Sequence, residues 1–524
     1  MAERFAEVDR AARIMSGESL QGIAQSVDTS QAPGPGIVVF NPSSRQRSEV
    51  LGVGVEIPES WESFSLVDGQ GQALPYQVQG RIGAHTDLYL WAADVPSVGY
   101  RIFYLTPHAL APIDLPAVTA SAEEQSMENQ YLAVRIEADG TLTMRDKARG
   151  RTYAGLGYFE DGGDCGDTYD YSYPAQDEVI LSRGSAAQVT LEAAGPLVAR
   201  FRIEMALDLP ASLAGDRQAR SAERRTVPIV SFVELAATSR HVEVRTVLHN
   251  TVKDHRLRVL FPSGIDAETS YAGMPFDVAE FPLQETADNG EPPPQLAGLM
   301  LAGRYTAPVN TRPFQNFVSL VDAKAGLTVF SRGLNEFEIL PEQNNAIALT
   351  ILRGVGWLAR ADLLTRVGDV GPHIFTPEAQ GLGLQVFEYA IYPHGPDLWA
   401  ANPQFESDRH TLKFRAVRTN AHPGRLPGEL SFLSWVAQVP AYAFTLTALK
   451  HSEAEDGLII RFYNACDQEA RGQLRVGGLV VKAWRANLNE EPLADGELPV
   501  RDPRRIDLEV ARKKIVTLEL FLRR

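Results

Sequence analysis

The spacing of apolar residues predicts one amphipathic helix, over residues 4–28. Apolar side chains recur there every three or four positions, with one break near Gly17. No comparable helical pattern follows, so some other structure must cover the apolar stripe of this helix. The helix can pack on the β-structure that comes next, or it can be the last member of a bundle whose other helices lie outside this sequence.

The rest of the chain alternates apolar and polar residues in short runs, a pattern typical of β-strands. A linker rich in proline and glycine at 31–36 separates the helix from the first group of strands. That group predicts a small β-sandwich between residues 36 and 110. Its strands are predicted at 37–42, 50–57, 63–67, 88–92 and 100–105.

Two further groups of strands predict two more β-domains. Between 120 and 395 the strands are longer and no helical segment separates them, which indicates a large antiparallel sandwich. Residues 398–524 predict an immunoglobulin-like sandwich. The charged segment 211–225 is predicted to be an exposed loop or short helix with a solvated basic face. The predicted strands are 189–193, 196–207, 229–235, 242–248 and 256–261, then 431–439, 443–449, 458–463, 474–483 and 515–522.

Residues 155–175, GLGYFEDGGDCGDTYDYSYPA, have the most distinctive composition in the chain. Aspartates and tyrosines alternate there among several glycines, and neither a helical nor a strand period fits. Carboxylates accept hydrogen bonds from sugar hydroxyls and aromatic rings stack on sugar C–H faces, so this composition suits carbohydrate binding. A solvated acidic loop and a calcium-binding loop are the alternatives. The acidic and aromatic residues are Asp161, Asp164, Asp167 and Asp170 with Tyr158, Tyr169, Tyr171 and Tyr173.

Composition and charge narrow the class of protein. Hydrophobic residues make up 44% and charged residues 22% of the chain, as in ordinary soluble globular proteins. The net charge of −16 argues against nucleic acid or an anionic membrane as a partner, because both need a basic face. Cys165 and Cys466 lie far apart and build neither a disulfide framework nor a metal cluster. With no signal-like or long apolar segment, the sequence predicts a cytoplasmic protein without a membrane partner.

Several motifs in this sequence carry a resemblance to a known family. The most specific are Glu128-Asn129-x-Tyr131, Asp139-Gly140-Thr141-Leu142, Asp146-Lys147 and Asp161-x-Gly163-Asp164-x-Gly166-Asp167-x-Tyr169. This run resembles the start of the large β-domain of glycoside hydrolase family 38, the retaining α-mannosidases, including bacterial mannosylglycerate-hydrolase-like members. Further stretches resemble the same family in the same order, so the resemblance covers nearly the whole chain. They are 38–42, 94–100, 240–261, 271–278, 312–322, 363–371 and 376–394.

The resemblance implies a mainly β fold. Its centre would be a large antiparallel β-supersandwich of the galactose-mutarotase type, flanked by two smaller immunoglobulin-like sandwiches. It also implies that the N-terminal helix is left from a helical bundle, which favours the second interpretation given above. The implied domains are 1–30 for the bundle helix, 36–110 for the small sandwich, 120–395 for the large family domain and 398–524 for the last sandwich.

For function, the resemblance implies the C-terminal portion of a retaining α-mannosidase that packs on a catalytic barrel. In the family the nucleophile and the zinc ligands come from that N-terminal barrel and from a His-His-Asp-Ala segment, which this sequence does not contain. We therefore expect no catalytic residue and no zinc ligand in this chain, and little activity from the chain alone. His85-Thr86-Asp87, which resembles half of a zinc site, is predicted to be a surface turn. His255 is interpreted as a residue that holds a strand end rather than as a general base.

The expected contribution of this chain to the sugar site is a loop at its rim. Asp164, Asp167 and Tyr169 are the first candidates for that loop, and Arg312 and Gln315 are weaker ones. Their roles would be to hydrogen-bond a mannose-containing carbohydrate and to support the barrel.

Two functional hypotheses from different classes remain. In the first, the chain is one half of a glycosidase whose barrel lies on the same or a separate polypeptide. In the second, it is a free-standing β-sandwich protein that binds carbohydrate without cleaving it. The unpartnered apolar stripe of the helix favours the first, because a free-standing protein should not expose it. Association into a homo-oligomer would also cover the stripe.

Overall fold

Strands dominate the structure, because β-branched and aromatic residues favour pleated, half-buried surfaces and recur throughout the chain. The structure is a computed structural model and describes residues 2–283, 305–306, 310–453 and 456–523. It divides into two units, the first comprising Met1–Pro116 with Leu412–Arg524 and the second Ala117–Thr411. The predicted fold class is confirmed: the described residues form several antiparallel sheets and one long N-terminal helix.

The N-terminal helix predicted from the sequence is present as α1 (Ala2–Ala24). Its C-terminal end packs into the core of the first unit, where Ala24 and the following Val27 are fully buried. The apolar side chains before that end face solvent, since Phe5, Val8 and Met15 are 70%, 66% and 68% exposed. The helix is therefore anchored at one end and carries an apolar face that no described residue covers.

The five strands predicted in the first group are present, whereas Ala73–Leu74 and Tyr76–Ile82 form two further strands that were not predicted. β1 is apolar over almost its whole length and is buried on both faces, and β6 and β7 also contain runs of consecutive buried residues, with exposed or half-buried positions toward their ends. The strands are β1 (Gly36–Asn41), β2 (Arg47–Glu56), β3 (Phe64–Asp68), β4 (Ala73–Leu74), β5 (Tyr76–Ile82), β6 (His85–Val95) and β7 (Gly99–Pro107).

The second unit contains the longest strands and two short helices. In its first half the described strands are β8 (Thr119–Ser121), β9 (Ser126–Glu128), β10 (Leu132–Ile136), β11 (Leu142–Asp146), β12 (Arg151–Leu156), β13 (Tyr158–Gly163), β14 (Ile180–Leu181), β15 (Gln188–Ala194), β16 (Val198–Pro210), β17 (Arg224–Ala236), β18 (Val242–Asn250) and β19 (His255–Pro262). The remaining elements are β20 (Thr269–Met274), β21 (Asp277–Pro282), β22 (Tyr305–Thr306), β23 (Arg312–Pro313), β24 (Phe317–Val321), β25 (Gly326–Arg332), β26 (Glu336–Leu340), β27 (Ala346–Gly354), β28 (Arg366–Val367), β29 (Gly383–His394), α2 (Leu398–Ala401) and α3 (Pro403–Thr411), with single 3-10 turns at Pro341–Gln343 and Pro377–Gln380.

Two sheets of the second unit enclose its core. The large sheet has the strand order β15-β16-β17-β18-β29-β25-β24-β20-β21, and the facing sheet has the order β14-β13-β19-β27-β26-β23. Their inner faces meet in contacts such as Phe261 against Tyr389, whose ring centroids lie 5.7 Å apart. The hairpin predicted around Gly140 is present and belongs to a third sheet, β12-β11-β10-β9-β8. This sandwich positions β13 and β19 side by side, and the loop discussed below follows β13.

After the second unit the chain returns to the small sandwich. β30 (Arg415–Thr419) pairs antiparallel with β1, and β31 (Glu429–Ser431) pairs with β7. One sheet of the small sandwich therefore runs β30-β1-β7-β3-β4, opposite the sheet β2-β6-β5. The sequence pattern predicts these strands but not this pairing across almost four hundred positions. The domain ranges drawn from the sequence stay predictions.

The last strands form a C-terminal sandwich in the first unit. Its sheets have the orders β32-β35-β38 and β33-β34-β39-β36-β37, and Phe444, Phe462 and Leu518 lie fully buried between them. The strands are β32 (Leu433–Val439), β33 (Phe444–His451), β34 (Leu458–Asn464), β35 (Ala470–Val476), β36 (Val480–Ala486), β37 (Pro492–Glu497), β38 (Arg505–Val510) and β39 (Ile515–Leu522).

Three predictions of local structure are wrong. The stretch 155–175 was expected to be irregular, but it includes β13, because its apolar and acidic residues pair with β19. The strand predicted at 474–483 is two strands, β35 and β36, since the chain bends at Gly477 and Gly478. Residues 85–87 begin β6 instead of forming a turn, although the side chains of His85 and Asp87 are exposed as expected.

The short helices α2 and α3 were not predicted from the sequence pattern. They lie against the outer face of the large sheet, where His410 Nδ1 is 2.8 Å from Glu243 Oε2. Neither these helices nor α1 combines the length and apolar character that a membrane span requires, which holds for every helix in the described ranges.

The turn at Gly140 yields a test of the fold. Gly140 has a φ of +79°, and a Cβ there would lie 2.5 Å from Met205 Cε. Gly150 has a φ of +66° but open space around it. We expect Gly150→Ala to lower the free energy of unfolding by about 1 kcal/mol through backbone strain. Gly140→Ala adds the clash and should lower it further, as measured by urea denaturation. Equal losses in both variants would contradict the packing of this hairpin on β16.

Candidate functional site

The candidate site centres on the acidic-aromatic loop, defined here as residues 164–176, which follows β13. It packs against the arginine segment, residues 353–366, which joins β27 to β28. Thr168 Oγ1 donates to the carbonyl of Leu358 at 2.8 Å, and Thr365 Oγ1 donates to the carbonyl of Tyr171 at 2.7 Å. Hydrogen bonds in both directions therefore join the two segments along their length.

Asp161, the last acidic residue before the loop, is fully buried on β13. Its Oδ2 lies 2.6 Å from Nδ1 of His255, and its Oδ1 accepts a hydrogen bond from the guanidinium of Arg220. His255 is the first residue of β19, so the pair ties the beginning of that strand to its neighbour. This geometry fits the interpretation of His255 as a structural residue. The prediction of a solvated basic face at 211–225 is wrong for Arg220, which is buried.

Asp164 is buried and uses both of its oxygens inside the fold. Oδ1 accepts from the backbone N–H of Gly166 at 2.9 Å, and Oδ2 accepts from Nε of Arg353 at 2.8 Å. Burial raises the pKa of Asp164 above its ordinary value, and the charge and hydrogen bond of Arg353 oppose that rise. Arg353 thus provides the largest compensation for this buried carboxylate, and the Gly166 backbone N–H and the charge of Arg256 add to it.

Asp167 is fully buried and is the most extensively hydrogen-bonded carboxylate of the loop. Its Oδ1 accepts from the backbone N–H groups of Tyr169 and Asp170, both at 2.9 Å. Its Oδ2 accepts from the backbone N–H of Arg360 at 2.8 Å and from the guanidinium of Arg366. Burial raises the pKa of Asp167, but the Arg366 and backbone hydrogen bonds outweigh it, so the net pKa lies below the ordinary value.

Arg366 compensates two carboxylates at once. Besides Asp167 it binds Asp170, and its side chain is almost fully buried while that of Asp170 is partly exposed. Arg366 also donates to the carbonyl of Arg360 at 2.7 Å. One guanidinium thereby holds both ends of the turn from 167 to 170 and the middle of the arginine segment.

The tyrosines of the loop divide into a buried and an exposed set. The guanidinium of Arg256 stacks on the ring of Tyr171, 3.7 Å from the ring centroid, and burial raises the pKa of the Tyr171 hydroxyl to about 12. Tyr169 and Tyr173 point outward, and Tyr169 is 57% exposed. Tyr169 is thus the residue of the predicted trio whose side chain a ligand can reach.

Further aromatic surface lies on the arginine segment and the residues after it. Trp357 packs edge-on against Phe375 with centroids 5.4 Å apart, and Arg360 stacks over Trp357 at 4.9 Å. Phe375 is 59% exposed. Because the backbone N–H of Thr168 donates to the carbonyl of Trp357, this aromatic group adjoins the loop.

A second charged cluster lies on the facing sheet beneath Tyr171. Arg258 binds both Glu160 and Glu338, and Arg256 lies 3.7 Å from Glu338. The burial of Arg256 lowers its pKa, with the neighbouring Arg258 acting in the same direction. Charges of both signs alternate across the sheet, so the floor under the loop is nearly neutral.

The five residues predicted for the sugar rim occupy different parts of the second unit. Asp164, Asp167 and Tyr169 share the acidic-aromatic loop. Arg312 lies on β23 with its guanidinium 5.8 Å from the ring centroid of Phe281. Gln315 is exposed just before β24, and its backbone N–H donates to Gly273 at 2.6 Å. A role at a sugar rim stays a prediction for all five.

The arginines that shape the site are the functional residues that sequence reasoning missed. Arg353, Arg366 and Arg220 come from segments far from the loop in sequence, so spacing alone does not connect them to it. A signal was nonetheless present, since four aspartates in ten positions require counter-charges if the segment is buried.

The residues present do not fit a zinc site. Within the described ranges no group of three or more His, Cys, Asp or Glu side chains is placed to hold a metal ion. His85 Nε2 lies 3.3 Å from Asp87 Oδ1, but both side chains are exposed and Nδ1 of His85 is occupied by Glu56. We derive no chemistry through a metal from this chain.

Family comparisons agree with this architecture. Residues 127–361 match the glycosyl hydrolases family 38 C-terminal domain, and residues 443–518 match the family 38 C-terminal beta sandwich domain. The chain therefore belongs to glycosyl hydrolase family 38 and carries its C-terminal domains. The family resemblance found in the sequence is confirmed.

Individual relatives are longer than this chain. A protein of Halalkalibacterium halodurans named "Putative mannosylglycerate hydrolase" is 26% identical over 449 residues, covering 83% of this chain and 45% of the relative. An alpha-mannosidase of Enterococcus faecalis V583 superimposes with a TM-score of 0.81 at 26% identity, covering 99% of this chain and 60% of that structure. A second Enterococcus faecalis family 38 structure has a TM-score of 0.81 and 25% identity, with 62% of it covered. The chain spans about half the length of the curated relative that it matches.

The buried position of Arg366 leads to a stability prediction. Arg366→Met keeps the length of the side chain but leaves Asp167 and Asp170 without their cation. We expect the free energy of unfolding to fall by about 3–5 kcal/mol, because breaking a buried ion pair strands a charge. Arg224→Met, which removes partly exposed pairs with Asp208 and Glu178, should cost about 0–1 kcal/mol. Urea denaturation measures both, and comparable losses would contradict the role given to Arg366.

The lowered pKa of Asp167 leads to a pH prediction. A folded pKa below the roughly 3.9 of an unfolded aspartate means that ionised Asp167 stabilises the fold above about pH 4. That contribution is lost as the pH falls through the folded pKa. When the pH is lowered from about 5 to about 2, the free energy of unfolding of the Asp167→Asn variant should therefore fall less than that of the unmodified chain. Asp208→Asn, at an exposed carboxylate, serves as the control, and identical pH slopes in all three proteins would contradict the assignment.

Proposed function

We propose that this chain is the C-terminal portion of a retaining α-mannosidase. It packs on a catalytic barrel, carried on the same or a separate polypeptide, and its acidic-aromatic loop contributes to the rim of the sugar site. The complete enzyme would hydrolyse α-mannosides in the cytoplasm. Family membership supports the hydrolase class, and the finer assignment rests on the loop.

The observation that carries the proposal is the way in which the loop is held. Every oxygen of Asp164 and Asp167 accepts hydrogen bonds from within the second unit, so these carboxylates set the shape of the loop. Of the three loop residues predicted for the rim, Tyr169 is the one whose side chain is exposed to a ligand, and Tyr173 in the same loop is exposed as well. A fixed loop with an outward aromatic ring suits the edge of a sugar site, because an aromatic ring packs on the C–H face of a pyranose.

The residues present in this chain determine which roles in the reaction it can take and which belong to the barrel. In the retaining mechanism one carboxylate attacks the anomeric carbon and another carboxyl group protonates the leaving oxygen. We assign both groups, and the zinc ion that the family uses, to the barrel. The residues of this chain would orient the substrate: Tyr169 by contact with the sugar, and Asp164 and Asp167 as positioning residues that hold the loop in place.

The exposed apolar face of α1 is an argument for a partner that covers it. Phe5, Val8 and Met15 present contiguous apolar surface along three turns of the helix, and soluble proteins rarely leave such surface open. A barrel half that carries the other helices of the bundle would cover this apolar surface. This observation favours the half-enzyme over the free-standing carbohydrate-binding protein, which would have to hide the stripe by self-association.

The role of the loop can be tested by mutagenesis of the complete enzyme. Tyr169→Ala should raise KM for an α-mannoside about fivefold to tenfold and alter kcat less, because it removes a contact with the sugar ring. Asp167→Asn should lower kcat/KM by displacing Tyr169. Steady-state kinetics with 4-nitrophenyl α-mannoside measures both effects.

The matched control is Tyr442→Ala, which removes a comparably exposed tyrosine from the C-terminal sandwich. Its kinetic constants should equal those of the unmodified enzyme. Unchanged kinetics in both Tyr169→Ala and Asp167→Asn would exclude the loop from the sugar site.

A further inference from the structure

A group of exposed apolar side chains adjoins the acidic-aromatic loop. This apolar patch consists of Tyr169, Leu364, Val370, Ile374 and Phe375, which are 57%, 54%, 46%, 51% and 59% exposed. Single exposed apolar residues are normal on a protein surface, whereas a group of them marks a surface that another molecule covers. The contact proposed between Tyr169 and the sugar does not explain the other four residues.

A loop closed by backbone hydrogen bonds carries most of the patch. The backbone N–H of Leu358 donates to the carbonyl of Ile374 at 2.9 Å, and the backbone N–H of Thr376 donates to the carbonyl of Gly356 at 2.8 Å. Residues 359–373 therefore form a loop whose two ends meet. Compact loops of this kind, with their ends close together, are frequently functional.

Tyr169 lies against this closed loop. A Cβ on Gly371 would be 3.7 Å from the hydroxyl oxygen of Tyr169 and 3.8 Å from Cε2 of its ring. Val370 directly precedes this glycine, and the backbone N–H of Leu364 donates to Oγ of Ser172 at 3.0 Å. The apolar patch therefore spans the acidic-aromatic loop and the closed loop that packs against it.

Charged side chains beside the patch neutralise each other. Nε of Arg360 donates to Oδ1 of Asp362 at 2.8 Å, and Nε2 of His373 lies 2.9 Å from Oδ1 of Asp369. An apolar centre with a polar edge is the composition of a protein–protein interface. A sugar site needs polar groups placed among the apolar ones, whereas three of the five patch residues are aliphatic and none of the five is charged.

The position of the patch beside Tyr169 indicates which protein covers it. In the function proposed above, Tyr169 reaches a sugar site that the catalytic barrel carries. A barrel that brings its sugar site to this ring must also meet the side chains that adjoin the ring. The two Enterococcus faecalis structures superimpose on 99% of this chain, which covers 60% and 62% of them, so each contains polypeptide beyond the part that this chain resembles.

We propose that the apolar patch is a docking surface for the catalytic barrel. This inference rests on the proposed function and specifies which residues make the contact. The barrel packs apolar side chains on the four patch residues other than Tyr169, and Tyr169 lies where this interface meets the sugar site. The facing surface of the barrel is apolar and uncharged, because the charged groups beside the patch already have partners within this chain.

The test is hydroxyl-radical footprinting with mass spectrometry, which measures how fast solvent-exposed side chains are oxidised. The recombinant 524-residue chain is compared with the complete enzyme. In the complete enzyme Leu364, Val370 and Phe375 should be oxidised at least about fivefold more slowly, because side chains at the core of an interface lose contact with water. Leu384, which is 70% exposed on β29 and lies outside the patch, should be oxidised equally fast in both.

Val370→Glu provides a second measurement. It places a charge in the proposed contact, so it should shorten the half-life of activity of the heated complete enzyme at least about threefold. The unfolding midpoint of the recombinant chain should not change, since Val370 is exposed there and surface substitutions rarely alter stability. Leu384→Glu is the matched control and should alter neither quantity.

Equal oxidation of the patch in the recombinant chain and in the complete enzyme would overturn the proposal, even if Tyr169→Ala raises KM as expected for the rim. Protection of the patch together with unchanged kinetics in Tyr169→Ala would support the interface and remove Tyr169 from the sugar site. Protection that is already present in the recombinant chain and disappears on dilution would show that a second copy of the chain covers the patch, and would also overturn the proposal.

Discussion

The structure of the second unit around the acidic-aromatic loop depends on arginines that compensate the charges of buried carboxylates. Asp161, Asp164 and Asp167 lie almost fully out of solvent within seven consecutive positions, and an uncompensated carboxylate there would cost several kcal/mol. Arg220 reaches them from the connection before β17, and Arg353 and Arg366 reach them from the two ends of the arginine segment. These ion pairs connect β13 and the acidic-aromatic loop to the connection before β17 and to the arginine segment, and they restrict the positions that the loop can take. Everything proposed for Tyr169 follows from this rigidity.

Because these carboxylates are buried and paired with arginines, the acidic residues of this stretch have a different role from the one that their composition suggests. Such a stretch suggests carboxylates directed at sugar hydroxyls, yet the structure directs them inward and leaves an aromatic ring outside. The carboxylates therefore determine where the exposed ring of Tyr169 lies, and we propose that this ring contacts the sugar. Calcium binding, the alternative suggested by the residues, requires free carboxylate oxygens, whereas those of Asp164 and Asp167 are occupied.

Local patterns predicted the elements of this fold better than their assembly. Alternation placed β16, β17 and β18 within a few residues, because one buried face imposes a period of two. The split between β35 and β36 was missed, since apolar residues continue across Gly477 and Gly478 and conceal the bend. The pairing of β30 with β1 and the burial of Arg220 could not be predicted, because both result from contacts between positions far apart in sequence. The family motifs supplied the candidate loop, and the structure supplied the partners that hold it.

The most direct test of the central claim is to purify the native protein from its source with an antibody against this chain. Its polypeptide content and α-mannosidase activity are then compared with those of the recombinant 524-residue chain. Our account predicts native material that contains additional polypeptide, either as one longer chain or as a second subunit, and that hydrolyses 4-nitrophenyl α-mannoside while the recombinant chain does not. Native material that consists of this chain alone and lacks activity would contradict the account, and so would hydrolysis by the recombinant chain.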